Sequence, residues 1–183
     1  MKATGIVRRI DELGRIVIPK EIRRTMRIRE GDPLEIFTDR EGEVIFKKYS
    51  PIGELAGFAA QYAETLHKTG GMAVVICDRD AVIACAGVSK KEYNDKSLSE
   101  ELERIIENRS LYVYHNGDAA VPVVPDGNSH YVSCAMPIVS EGDIIGCVVS
   151  LRATDGNAPA IGGDVESKLI QTAASFLGRQ LEG

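Results

Sequence analysis

Five arginines, Arg8, Arg9, Arg15, Arg23 and Arg24, crowd into one short N-terminal stretch of this chain. A guanidinium is planar and permanently charged, and its N–H fork matches the oxygens of a phosphate or the major-groove edge of guanine. Forks spread over a strand, a turn and a helix suit an extended polyanion better than one small anion. The residues between the arginines set that spacing. Gly14 permits a tight turn after Asp11-Glu12-Leu13. Ile16-Val17-Ile18 is an unbroken β-branched run, the pattern of a strand buried on both faces. Pro19 has no amide donor and a fixed φ, so it ends the strand and suits the first position of a helix. Ile22 and Met26, four apart, give that helix one apolar stripe and turn Arg23 and Arg24 outward. The bland alternative is a solvated face in which these arginines pair with Asp11, Glu12, Glu21 and Glu30 and contribute little.

Charge favours the first reading. The 183 residues carry −5 overall, yet residues 1–49 hold 12 Lys+Arg against 9 Asp+Glu, net +3, and the remainder holds 10 against 18, net −8. A basic head on an acidic body is the arrangement expected of a nucleic-acid-facing unit joined to a different kind of domain. A hydrophobic content of 44 % is that of a folded chain. Neither a signal peptide nor a run of about 18 apolar residues is present, so the expected setting is cytoplasmic, with no membrane partner.

Residues 6–10 and 15–18 read as two strands around the Gly14 turn. Gly31-Asp32-Pro33 stops the following helix, and residues 34–38 and 43–49 form a second hairpin around Asp39-Arg40-Glu41-Gly42. A unit of strand, strand, helix, strand, strand in under 50 residues, apolar on both sides, can scarcely bury itself alone. Two chains contributing strands to one barrel would close it.

The run Gly5-Ile-Val-Arg-Arg-Ile-Asp-Glu-Leu-Gly-Arg-Ile-Val-Ile-Pro-Lys-Glu-Ile-Arg-Arg, with the later Gly31-Asp-Pro-Leu-Glu-Ile, resembles the swapped-hairpin DNA-binding domain of AbrB-type transition-state regulators. The resemblance implies an all-β-dominated swapped-hairpin barrel, an intertwined homodimer through residues 1–50, and double-stranded DNA as partner. It also implies DNA contact by Arg8, Arg15, Arg23 and Arg24, with Arg9 at a position that is basic in the family. No helix here supports a helix-turn-helix reader, so recognition weighted toward DNA shape is expected.

Beyond Tyr49 the pattern changes. Ile52, Leu55, Ala59, Tyr62 and Leu66 recur at helical steps after Ser50-Pro51, and Val165, Leu169, Ala173, Phe176 and Leu177 repeat that stripe near the other end. Strand-like runs cover 72–77, 82–86, 119–124, 131–137 and 144–151. Ser97 with Glu100 reads as a capping box for a helix carrying Leu98, Leu102, Ile105 and Ile106. This order predicts an α+β domain over residues 51–183, a largely antiparallel sheet with helices packed on it. Pro137-Ile138, Gly142 and the run 144–151 resemble a GAF domain, a small-molecule sensor fold, and the two-domain layout resembles that of a sporulation transcription regulator. The resemblance implies tetramerisation by pairing of the bracketing helices between chains.

No effector, cofactor, metal ligand or catalytic residue is named by the sequence. Tyr93, Asn94, Tyr112, Tyr114, His115, Asn128, Ser129 and His130 are places where a pocket could be lined, although residues of these types are more often ordinary loop or surface residues. His67, His115 and His130 lack metal-ligand spacing. Cys77, Cys85, Cys134 and Cys147 sit in apolar runs without a Cys-x-x-Cys pair and read as buried hydrophobes. Two further readings remain: a thiol enzyme like the GAF-type methionine sulfoxide reductases, and a toxin-neutralising antitoxin. Against the first, Cys77 and Cys85 lie on the two arms of one expected hairpin but not opposite each other. Against the second, a patterned domain of more than 100 residues stands where a disordered tail would be expected.

Overall fold

Gly31, Asp32 and Pro33 lead into a hairpin of β1 (Leu34–Thr38) and β2 (Val44–Lys48), paired antiparallel with Ile36 opposite Phe46. Its turn is closed by Asp39, whose Oδ1 accepts the amides of Glu41 and Glu43, both at 2.9 Å, and by Gly42 at φ +85°. The computed structural model describes residues 4–127, 129–155 and 161–182. Two compact units emerge, Met1–Tyr49 and Ser50–Gly183.

Residues 6–10 and 15–18 of the first unit, expected as strands, are in no ladder in the single chain. The reason lies in partners. A strand needs a neighbour for its amides and cover for its side chains, whereas Ile6, Val7, Ile10, Leu13, Ile16 and Val17 are all exposed, Val7 at 85 % and Val17 at 73 %. The Ile16-Val17-Ile18 strand is thus not buried on two faces within its own chain. Helix α1 (Lys20–Thr25) begins after Pro19, which is its cap rather than its first residue, and α1 buries none of its side chains.

The second unit is built on a five-stranded antiparallel sheet. Its strands are β3 (Ala73–Cys77), β4 (Val82–Ala86), β5 (Tyr112–Val113), β6 (His130–Ser140) and β7 (Asp143–Ala153), in the order β4-β3-β7-β6-β5. Glu141 and Gly142, with φ of 50° and 89°, turn β6 directly into β7. Both central residues of a type I′ hairpin turn need positive φ, and that turn matches the twist of the strands it joins. Alternate residues feed two cores. Val74, Ile76, Ile138 and Val148 face α3 (Ala56–Gly70) and α6 (Gly163–Arg179), together with Ile52 of α2 (Pro51–Glu54). Val75, Cys77, Cys147 and Val149 face α5 (Glu100–Glu107) and Tyr93 of α4 (Lys90–Tyr93). A sheet covered on both faces explains the continuous apolar runs.

Several local expectations change. Residues 119–124 form no strand; Pro122 donates no amide, and the segment instead gives carbonyls to its neighbours, Val121 to Val132 N and Val123 to Ser99 N, both at 2.8 Å. The cap of α5 is Ser99, not Ser97. Its Oγ accepts Leu102 N at 3.1 Å and donates to the Pro122 carbonyl at 2.6 Å. The Ser50 helix breaks at Leu55 into α2 and α3, with Ser50 Oγ accepting Gly53 N. Pro137 sits inside β6, tolerated because β5 pairs only with Cys134 and Ala135 and leaves that edge open.

Helix α6 buries Glu166, Ile170, Ala173, Ala174, Leu177 and Gly178. Glu166 is satisfied by Ser150 Oγ at 2.6 Å and Arg152 at 3.4 Å. A Cβ on Gly178 would collide with the Val139 carbonyl. On propensity alone Gly178→Ala would stabilise α6 by about 1 kcal/mol; here it is expected to lower the thermal midpoint of the second unit, measured by circular dichroism, because the obstacle is backbone.

Candidate nucleic-acid interface

Asp11 organises the first arginine site. Its amide donates to the Arg15 carbonyl at 3.1 Å and its carbonyl accepts Gly14 N at 3.0 Å, which closes the turn, with Gly14 at φ +74°. Its Oδ1 accepts Leu13 N at 3.0 Å and Arg15 N at 2.8 Å, and its Oδ2 accepts Arg15 Nε at 2.8 Å. Hydrogen bonds from the Arg15 amide, and then from its guanidinium, hold the Asp11 carboxyl below the usual carboxylate range. Among the described residues, Arg15 alone of the five arginines is ion-paired.

Arg8 and Arg9 lie exposed on the unpaired arm before that turn. Arg23 and Arg24 occupy the last turn of α1, where the helix dipole favours cations. They differ: Arg24 is exposed, whereas Arg23 is half-buried and its Nε is enclosed without a hydrogen-bond partner. The turn after α1 is braced by Asp32, which accepts Arg29 N at 2.7 Å and stands 3.7 Å from Lys48 Nζ, itself donating to the Arg27 carbonyl at 2.7 Å. That brace ties the end of α1 to β2. In sequence Asp32 looks like a turn residue and nothing more, because a tie across 16 positions leaves no local pattern.

In the second unit Tyr93 is buried and meets His130 edge-on at 6.4 Å between ring centroids, Asn94 Oδ1 accepts the Cys85 thiol at 3.1 Å, and His130 Nδ1 lies 3.0 Å from Ser129 Oγ. Tyr112 is half-buried against the same core as Tyr93, while the Tyr114 and Tyr131 rings meet at a 58° tilt with centroids 4.8 Å apart and His115 Nδ1 lies 3.7 Å from Asp118 Oδ2. Asn128 lies outside the described residues. Among the described residues, no group of three or more His, Cys, Asp or Glu side chains could hold a metal ion. Nor is any helix among them long and apolar enough to cross a membrane.

All four cysteines are free and buried. Burial pushes the Cys85 thiol up, pushes Cys134 up to about 11 and drives Cys147 well above its ordinary range. Cys77 stands opposite Cys147 across β3 and β7, a pairing that no single hairpin reveals, while Cys77 and Cys85 are not opposite each other.

Residues 54–182 match the family described as stage V sporulation protein T C-terminal, transcription factor. The chain belongs to that family. Residues 7–53 match a second family, described as antidote-toxin recognition MazE, bacterial antitoxin. Stage V sporulation protein T of Bacillus subtilis (strain 168) is 56 % identical over 186 residues, covering 100 % of this chain and 99 % of that protein. The transition state regulatory protein AbrB of the same organism is 63 % identical over 51 residues, covering 28 % of this chain and 52 % of AbrB. The GAF domain/HD domain protein from Geobacter sulfurreducens has TM-score 0.50 at 19 % identity, over 66 % of this chain and 87 % of that one. A type II free methionine-R-sulfoxide reductase from Thermoplasma acidophilum has TM-score 0.51 at 11 % identity, over 71 % and 94 %. At such identities the likeness is one of fold. The α+β unit with its antiparallel sheet and flanking helices is thus GAF-like, and the N-terminal unit is AbrB-like.

Inaccessible thiols react slowly whatever their nucleophilicity, and these are protonated at neutral pH wherever their pKa is raised. An aromatic disulfide reagent is expected to leave all four cysteines unmodified in the folded protein at pH 7 and to titrate all four once urea unfolds it. Rapid modification of a native thiol would contradict their burial.

Proposed function

We propose that this transcription factor regulates sporulation genes by binding double-stranded DNA through Arg8, Arg9, Arg15, Arg23 and Arg24, activating or repressing according to where it sits. The observation that carries this is the 63 % identity to AbrB, read with the basic character of residues 1–49 within an acidic chain. Residues 1–50 act as an intertwined dimer. Ile6, Val7, Ile10, Leu13, Ile16 and Val17 are strand formers left exposed in the single chain, and burying such a side chain stabilises by about 1.5–3 kcal/mol. Contributed by two chains, they would supply the apolar surface that such an association needs. The dimer then presents ten arginines.

Residues 51–183 join such dimers into a tetramer and receive a small-molecule effector. The support for the tetramer is the outer face of the two bracketing helices. Phe58, Tyr62 and Phe176 form an aromatic cluster there, with ring centroids 5.5–6.3 Å apart; Phe176 remains 40 % exposed, and Val165, in the first turn of the same helix, 52 %. An effector would act by binding two quaternary arrangements with different affinity. The setting is cytoplasmic, on the nucleoid. The burial of all four thiols argues against the thiol-enzyme reading. Toxin neutralisation draws on the MazE match alone, and a small toxin co-purifying with the chain would favour it.

DNA binding by the full-length protein should fall steeply with salt. If roughly 6 to 10 phosphates are neutralised, the log-log slope is on the order of −5 to −9. Arg15→Ala and the double change Arg23→Ala/Arg24→Ala should flatten the slope while circular dichroism and mass stay unchanged; salt-insensitive binding would sink the reading. Sedimentation should give a tetramer at micromolar concentration, and Phe176→Glu should give a dimer that still binds DNA. A dimeric parent protein would defeat the tetramer.

A further inference from the structure

The geometry points to Asp11 as a positioning residue for DNA binding: its carboxylate grips Arg15 by Nε and so aims the rest of the guanidinium at the duplex. This rests on the proposed contact between Arg15 and DNA. One carboxylate performs two tasks. Oδ1 accepts the amides of Leu13 and Arg15 and fixes the turn, and Oδ2 accepts Arg15 Nε at 2.8 Å and fixes the direction of the side chain. Of the five N–H donors of an arginine, the grip uses one and leaves the four on Nη1 and Nη2 for an outside acceptor. The Arg15 side chain is 70 % exposed, so those four reach solvent. A long side chain restrained before contact loses less rotamer freedom on binding, and a planar fork gains most from being held at one angle. Among the described residues the other arginines of the set have no such hold: Arg8 makes a long contact to the Val7 carbonyl at 3.5 Å, and Arg24 is exposed without an ion pair.

Charge alone makes the opposite prediction, which is what gives the inference a sign. A carboxylate beside a DNA-contacting arginine repels phosphate. If Asp11 were a bystander, or a decoy that DNA must displace, removing it would tighten binding. If it positions Arg15, removing it weakens binding even though an anion has left the interface.

The test uses full-length wild type, Arg15→Ala, Asp11→Ala, Asp11→Asn and the double variant Asp11→Ala/Arg15→Ala. Affinity for a labelled mixed-sequence duplex is read by fluorescence anisotropy across a salt series. Asp11→Ala is expected to weaken binding about tenfold, the scale of one charge-assisted hydrogen bond. Asp11→Asn keeps the acceptor for the two turn amides and lacks the anionic acceptor for Nε; it should weaken binding by less, and it carries the test if Asp11→Ala fails to fold or to keep its mass. The double variant should bind no worse than Arg15→Ala, because Asp11 acts through Arg15. In nuclear magnetic resonance spectra the Arg15 Nε–H signal should move in Asp11→Asn while the amide spectrum of the second unit stays in place. Tighter binding by either Asp11 variant, an additive loss in the double variant, or wild-type affinity in both Asp11 variants overturns the inference while Arg15→Ala still weakens binding. Wild-type affinity in Arg15→Ala would overturn the arginine reading itself, and this inference with it.

Discussion

From Gly5 to Ile18 the chain makes one tight turn and no ladder, although its residues are those of strands. Backbone amides outside secondary structure must find water or another partner, and β-branched side chains outside a core gain nothing from their shape. The rest of the N-terminal unit cannot supply either need. Among the described residues, helix α1 has no fully buried side chain, and β1 and β2 pair only with each other. The same stretch carries Arg8, Arg9 and Arg15, so exposed charge and exposed apolar side chains belong to one segment of the chain.

The second unit has no such deficit inside its sheet. Strands β3, β6 and β7 send alternate side chains to two separate cores, and both cores are closed by helices of the same chain. What it leaves open is the outer side of those helices, where aromatic rings gather around Phe176. Apolar residues are thus unevenly satisfied along the molecule: largely in the sheet, partly on the helices, scarcely in residues 5–18. That gradient separates parts that fold within one chain from parts suited to meeting another.

The arginines are likewise not equivalent. Arg15 is held by a carboxylate, Arg23 has lost part of its hydration to its neighbours, and among the described residues Arg8, Arg9 and Arg24 have no ion pair. A restrained cation suits a contact that depends on angle, whereas a free one serves as a mobile charge near phosphate. The cysteines show the complementary case. Chemically the most reactive side chains present, they are buried in apolar surroundings that keep Cys85, Cys134 and Cys147 protonated, and they serve as packing.

Residue types and short spacings determined much of this protein. The boundary after Tyr49, the hairpin around Asp39 and Gly42, the bracketing helices and the five arginines are written in local patterns, because turns, periodicity and charge act over a few residues. Local patterns also misled where two candidates stood close together. Ser97 and Ser99 are both plausible caps for α5, and only packing of Leu98 in the core and the Ser99 bond to Pro122 selects the second. Residues 119–124 look like a strand until Pro122 removes a donor and their carbonyls are taken by segments distant in sequence. The brace from Asp32 to Lys48 and the facing of Cys77 with Cys147 belong to the tertiary structure alone, whereas the four-residue spacing of Asp11 and Arg15 already allows their pairing and only the folded turn selects Nε as the donor. Each depends on distances and angles that the folded backbone sets, and a string of residue types does not contain them.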